Sequence, residues 1–178
     1  MKKVKKFVPY RRKLEGKTNY RKRLKLLVSA APRFVVRKTN KHLIVQIVTY
    51  APDGDVVVTT TNSAELKKFG WKYSTSNLPA AYLTGLLAAK KTTAKKISHA
   101  IVDLGLQVPL KGSRLYSAVK GAQDGGLDIP ASEEVFPSED RIRGKHIATY
   151  AATATQFKTK PVDIEKTFDD VKKKIIGK

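Results

Sequence analysis

The side chains best equipped for chemistry in this sequence are cations gathered at one end. Residues 1–25 hold twelve Lys or Arg (Lys2, Lys3, Lys5, Lys6, Arg11, Arg12, Lys13, Lys17, Arg21, Lys22, Arg23 and Lys25) against a single acid, Glu15. That is +11 of a formal net charge of +21, about half of the total in a seventh of the 178 residues. Such a run supports ionic binding of phosphate. An ammonium is a mobile point charge, and a guanidinium is a planar fork that grips phosphate bidentately and stacks on bases. Tyr10 and Tyr20 stand between the basic clusters, placed for a ring to stack on an unpaired base. A solubilising surface or a localisation tail is the plainer reading of the same run. Half the charge in one segment beside a small basic domain favours RNA.

Fewer residues suit catalysis. Ser98, His99 and Asp103 are close in sequence, but adjacent residues on a strand point to opposite faces, and His99 and Asp103 share a face without a third group. His42 and His146 stand alone, without metal-ligand spacing. The stretch Gly121-Ala122-Gln123-Asp124-Gly125-Gly126 does not match Gly-x-Gly-x-x-Gly and reads as a helix end and turn. Glu133, Glu134, Glu139 and Asp140 read as helix N-terminal charge, and Lys172-Lys173-Lys174 as either a solvated face or a further RNA contact. With no Cys there is no thiolate ligand, thiol nucleophile or disulfide. The sequence therefore predicts no catalytic residue, metal, cofactor or small-molecule substrate; a basic RNA-modifying enzyme is the rival, and no motif suggests its pocket.

Net charge of this size opposes compaction unless a polyanion neutralises it, so the partner is nucleic acid or an anionic membrane surface. The 41% hydrophobic fraction is enough for a packed core. No apolar run reaches the ~18 residues of a spanning helix, and the charged N-terminus lacks the apolar block of a secretory signal. A cytosolic location fits, and no membrane partner is expected.

Residues 1–16 show neither helical nor strand periodicity and read as an arm without a core of its own. Thr18 or Asn19 caps a helix with Leu24, Leu27 and Val28 as its apolar positions and Arg21, Lys22, Arg23 and Lys25 opposite, ending before Pro32. Three runs rich in Val, Ile and Thr follow, Arg33–Lys38, His42–Tyr50 and Asp55–Thr61, joined by short turn-rich links as in an antiparallel meander. Asn62 or Ser63 opens a short helix that Gly70 stops. Asn77 then caps a longer one with Pro79 in its first turn and a stripe at Leu83, Leu86 and Leu87. Ser98–Leu104 reads as a buried strand reached by a crossover, and Ser113–Gln123 as another helix.

The order β-β-β-α-α-β-α predicts an α+β or α/β fold. It is a small mixed sheet, a three-stranded antiparallel meander plus one crossover strand, with helices on one face. Beyond Leu127, Ser138 caps a helix containing Ile142, Ile147 and Tyr150. Pro161 precedes an amphipathic helix with Ile164, Phe168, Val171 and Ile175 spaced by four, three and four. The division is an N-terminal basic arm and helix over 1–31, an RNA-binding domain over 32–127 and a C-terminal helical extension over 128–178. Strand alternation puts Arg33, Val35 and Arg37 on the sheet face away from Phe34 and Val36, and Gln46 and Thr59, the polar breaks, are expected to share that open face.

Three stretches carry a resemblance: Tyr10-Arg11-Arg12-Lys13-Leu14-Glu15-Gly16-Lys17-Thr18-Asn19-Tyr20; Arg33-Phe34-Val35-Val36-Arg37-Lys38-Thr39-Asn40-Lys41-His42; and Gly112-Ser113-Arg114-Leu115-Tyr116-Ser117-Ala118-Val119-Lys120-Gly121-Ala122-Gln123-Asp124-Gly125-Gly126. Together they closely resemble the 5S-rRNA-binding ribosomal protein L-eighteen family, over roughly Tyr10 to Tyr150 and in its archaeal form. The resemblance implies a structural constituent of the large ribosomal subunit that binds 5S rRNA and helps dock it on 23S rRNA in the central protuberance, beside neighbouring large-subunit ribosomal proteins. Carried over by position, Arg11, Arg12, Lys13, Lys17, Tyr20, Arg21 and Arg23 belong to the arm, and Arg33, Arg37, Lys41 and His42 to the first two strands. With Tyr10, Lys22 and Gln46, read from the sequence, these are the candidate RNA-binding residues. The alternative is a general basic protein binding nucleic acid or an anionic surface.

Overall fold

A computed structural model describes residues 8–153 and 163–177. Lys2, Lys3, Lys5 and Lys6 of the arm, and Pro161 before the last helix, lie outside the described residues. The arm contains one helical turn, α1 (Arg11–Leu14), and Asn19 caps α2 (Tyr20–Leu27), its side-chain oxygen accepting from Lys22 N at 3.1 Å. The meander is β1 (Arg33–Lys38), β2 (Leu43–Thr49) and β3 (Val56–Asn62). After it, β4 (Ile101–Asp103) lies parallel to β1, giving the order β3-β2-β1-β4. The crossover strand is shorter than expected: upstream of it, His99 makes only an isolated bridge to Asp128.

Two helices connect and cover the sheet. Ser63–Phe69 forms a 3₁₀ turn, closed at its start by a capping box between Asn62 and Glu65 and stopped by Gly70 in the left-handed region. Asn77 then caps α3 (Leu78–Thr93), accepting from Ala80 N at 2.9 Å, and α4 (Arg114–Asp124) packs against it. Phe34 and Val36 of β1 with Leu43, Val45 and Ile47 of β2 face these helices and form the main core with Ala81, Ala88, Leu115, Val119 and Leu127. Edge strand β3 is blunted by lysines from the end of α3: Lys91 donates to Thr60 O at 3.3 Å, and Lys95 donates to Val58 O.

α3 is buried nearly all round instead of along one stripe, because it separates two cores. Its small residues meet the sheet and α4. The predicted Leu83, Leu86 and Leu87 face away, into a second cluster with Leu66, Trp71, Ile142, Ile164, Phe168, Val171 and Ile175. That cluster recruits α5 (Glu139–Arg143) and α7 (Ile164–Ile176), so the predicted four-three-four stripe of the last helix packs on this chain's own α3. The single helix expected after Ser138 is broken by Gly144, at φ +91°, into α5 and α6 (Lys145–Thr153).

Two expectations about exposed faces are corrected. In α2, Leu24 and Val28 are 66% and 79% exposed, while Leu26 and Leu27 are half-buried. The ion pair of Arg23 with Asp55, on the side expected to face outward, sets the helix's rotation. On the sheet, Gln46 pairs with Thr60 and Ile47 with Thr59, so Thr60 shares the open face and Thr59 is buried on the core side. A one-residue difference in register exchanges faces, and β2–β3 carries a bulge between Ile47 and Val48.

Candidate nucleic-acid interface

The face of the sheet away from α3 and α4 shows Arg33, Val35 and Arg37 from β1, with Gln46 and Val48 opposite them on β2. Strand register does this: Arg33 pairs with Val48 and Val35 with Gln46, while on the other side Val35 pairs with Asp103 of β4. Asp103 thereby lands one step diagonally from both Arg33 and Arg37. Arg33 Nη1 is 3.1 Å from Asp103 Oδ2; Arg37 Nη2 is 3.2 Å from Oδ1, and Arg37 Nη1 donates to Asp103 O at 2.7 Å. Asp103 Oδ1 also accepts from Gly105 N at 2.8 Å. A side chain at Gly105 would strike the Arg37 guanidinium, with its Cβ 2.9 Å from Arg37 Cζ.

Asp55, at the end of the β2–β3 turn, completes a five-residue charge network. Arg23 of α2 clasps it bidentately at 2.7 and 2.8 Å, and Arg33 Nη2 approaches to 2.7 Å. The Arg33 approach is a charge contact off the hydrogen-bond line, and Arg33 Nε has no hydrogen-bond partner among the described residues. Arg33 is only 3% exposed, so its guanidinium is buried beneath α2. Lys22 adds a second tether, donating to Gly105 O at 3.1 Å on the β4 side. Helix α2 is therefore held over the sheet at two points, and between helix and sheet runs a cleft of about 690 Å³.

The clasp has an acid limit. Asp55 is held at about 2, below the ordinary 3.8, chiefly by the hydrogen bonds from Arg23; burial pushes the other way, and Arg33 adds to the lowering. Because the folded carboxyl ionises at lower pH than the unfolded one, its stabilisation is fully present above about pH 4. It fades as the pH falls toward about 2. Urea unfolding of the wild type should thus show a loss of stability in that window that Asp55→Asn lacks. Parallel acid limbs for the two proteins would remove Asp55 from the clasp.

The predicted residues sort by position. Arg12, Lys17, Tyr20, Lys22, Arg23, Arg33, Arg37 and Gln46 converge on the cleft. Arg12 Nε donates to Thr18 Oγ1 at 2.9 Å, and Lys17 and Arg11 both pair with Glu15 at 2.8 Å. The Tyr10 and Tyr20 rings lie 4.9 Å apart, tilted by 35°. Arg11, Lys13 and Arg21 are exposed on the arm and on α2. Lys41 and His42 lie outside the cleft, in the β1–β2 turn: Lys41 is exposed, and His42 Nδ1 is 3.0 Å from Thr75 Oγ1. Sequence reasoning missed Asp55, Asp103, Leu26 and Gln107. Asp55 looks like a turn residue, and nothing local foretells its pairing with Arg23, thirty-two positions away.

The residues weighed for catalysis find other company. His99 Nδ1 is 2.8 Å from Asp128 Oδ2, and Asp103 belongs to the arginine network. Among the described residues no three His, Asp or Glu are grouped as metal ligands, and no helix is long and apolar enough to cross a membrane.

Residues 5–100 match a family model described as ribosomal large subunit proteins 60S L5 and 50S L18. A large ribosomal subunit protein uL18 of Staphylothermus marinus is 56% identical over 145 residues, 81% of this chain and 72% of its own length. Proteins of the same description from Desulfurococcus amylolyticus and Thermofilum pendens are 46% and 48% identical over 183 residues, covering 95% and 94% of this chain and 93% of each relative.

Proposed function

The chain belongs to the family of large-subunit ribosomal proteins that includes 60S L5 and 50S L18, and from that premise we propose that it binds 5S rRNA and helps attach it to 23S rRNA in the central protuberance. As a family member it is a structural constituent of the large ribosomal subunit, working on the ribosome. In this reading its task is binding, not catalysis, and its protein partners are neighbouring large-subunit proteins.

The observation that carries the reading is the convergence of arm, α2 and sheet on one cationic cleft. Six cations line it against two carboxylates, Asp55 and Asp103, both engaged by arginines. The two tethers fix α2 before RNA arrives, so less order has to be imposed on binding. Exposed Arg11, Lys13, Lys17 and Arg21 supply phosphate contacts at the rim, with Lys41 and His42 at the β1–β2 turn. Buried Arg33 acts from beneath, by holding Asp55 and Asp103 in place.

Gel-shift titration with 5S rRNA, a tRNA and an unrelated structured RNA at several salt concentrations tests this. Affinity for 5S rRNA should exceed the other two by at least roughly tenfold at moderate salt, about 1.4 kcal/mol of discrimination. Equal affinity for all three would sink the specific reading.

A further inference from the structure

The cleft has a composition that phosphate binding alone does not explain. Its lining has an apolar strip: Val35 and Val48 are buried at its base, Val57 and Leu106 are exposed beside them, and Leu26 faces them from α2. A cationic groove is enough to track an RNA backbone. Such tracking makes no use of the apolar side chains interleaved with those cations, Val35, Val48 and Val57 on the sheet and Leu26 on α2. The volume, about 690 Å³, falls within the range of small-molecule sites, ~300–1,000 Å³.

One polar side chain stands in that strip with capacity to spare. Gln46 donates from Nε2 to Thr60 Oγ1 at 3.2 Å, which leaves its second N–H and its Oε1 without a partner among the described residues. A side-chain amide offers one donor and one acceptor side by side, the pattern that pairs with the edge of a nucleobase. Gln107, on the far rim, is engaged instead: its amide exchanges contacts with the Lys38 backbone at 3.2 and 3.5 Å. At the mouth, the Tyr20 ring is backed by Tyr10, and Arg12 keeps its terminal nitrogens unbonded among the described residues.

We propose that this cleft receives the base of one unpaired nucleotide extruded from the RNA that the arm holds, with Gln46 reading its edge and the valine strip taking its ring. The occupant follows from the lining. The apolar strip suits a flat ring, an amide with donor and acceptor open to solvent suits a base edge, and a cationic mouth suits the phosphate attached to it. A lipid or an acidic peptide would leave the amide or the strip unmatched. RNA recognition of this kind targets splayed-out bases in loops and bulges, where pairing edges are free. The inference rests on the RNA-binding reading above and adds a base to what would otherwise be backbone contact.

Two measurements on the full chain test it. In the first, isotope-labelled protein is titrated with each of the four nucleoside monophosphates and, separately, with ribose 5-phosphate. The nucleotides should shift the Gln46 side-chain amide and the Val35, Val48 and Val57 methyl signals, whereas ribose 5-phosphate should disturb only arm residues. Equal shifts from the sugar phosphate, or undisturbed valine methyls throughout, overturn the proposal. In the second, Gln46→Ala should weaken 5S rRNA binding roughly tenfold at fixed salt, the size of a lost base-edge contact. Being neutral, it should leave the salt dependence unchanged. Unaltered affinity in Gln46→Ala, with 5S rRNA still preferred over control RNAs, defeats the cleft while the RNA-binding reading survives. Nucleotide-specific shifts without 5S preference do the reverse.

Discussion

Deleting residues 1–18 is expected to weaken 5S rRNA binding by two orders of magnitude or more and to leave a folded protein. The deletion removes eight cations (Lys2, Lys3, Lys5, Lys6, Arg11, Arg12, Lys13 and Lys17) and Glu15, a net +7. Each phosphate contact contributes about 0.7–0.9 to the slope of log affinity against log salt, so losing even four contacts should flatten the slope by about three. The endpoint matters. A cut at residue 23 would also remove the Arg23 clasp on Asp55 and the Lys22 tether, uncovering Val35 and Val48 and leaving Asp55 with Arg33 alone. Stopping before the Asn19 cap keeps α2 in place. Filter binding across a salt series, with a thermal melt of the truncated chain, decides the matter: an unchanged dissociation constant would refute the arm's role.

The largest stability effect should come from the crossing of α3 and α4, at Gly85→Ala or Gly121→Ala. At Gly85 a Cβ would lie 1.9 Å from Ala118 O, and at Gly121 a Cβ would lie 2.1 Å from Tyr82 O. Both obstacles are backbone in the facing helix, so no side chain can swing away. Ala favours a helix interior over Gly by about 1 kcal/mol, but overpacking of this kind costs ~3 kcal/mol or more because two helices must separate. For a chain of this size ~3 kcal/mol lowers Tm by roughly 10 °C. The buried Ser117 Oγ bond to Leu78 O, at 2.9 Å, and the Tyr82 bond to Asp124, at 2.7 Å, span the same crossing and would be stretched with it. A Tm within a degree or two of wild type in both variants would mean the helices do not meet this closely.

These two experiments probe parts of the molecule that differ in how readable they were. The arm could be recognised without any structure, because charge density is a property of composition and needs no partner to be seen. Strand β1 was placed to the residue, since Phe34 and Val36 alternating with Arg33 and Arg37 is a signal contained in six positions. The helix caps at Asn19 and Asn77 were equally local: one side chain accepts from a backbone N–H three residues on.

What failed to show locally was anything settled by a distant partner. The rotation of α2 is such a case: Leu24, Leu27 and Val28 look like a buried stripe, and Arg23 like a solvated cation. Arg23 turns to the sheet where Asp55 offers a carboxylate, which leaves Leu24 and Val28 outside and Leu27 half-buried. Thr59 and Thr60 changed places through a single bulge in the β2–β3 ladder. Arg33 depends most on distant partners: strand alternation puts it on the open face, where Asp55 and Asp103 make it the buried centre of a network.

By itself, then, the sequence determined a polyanion partner, a basic arm, a mixed four-stranded sheet and the helices that cover it, all through charge density, periodicity and capping along the chain. Only the tertiary structure decided which cations stay exposed and which are buried. Burying an arginine is tolerable only where carboxylates neutralise it, and Asp55 and Asp103 reach Arg33 through strand pairings between positions far apart in the chain.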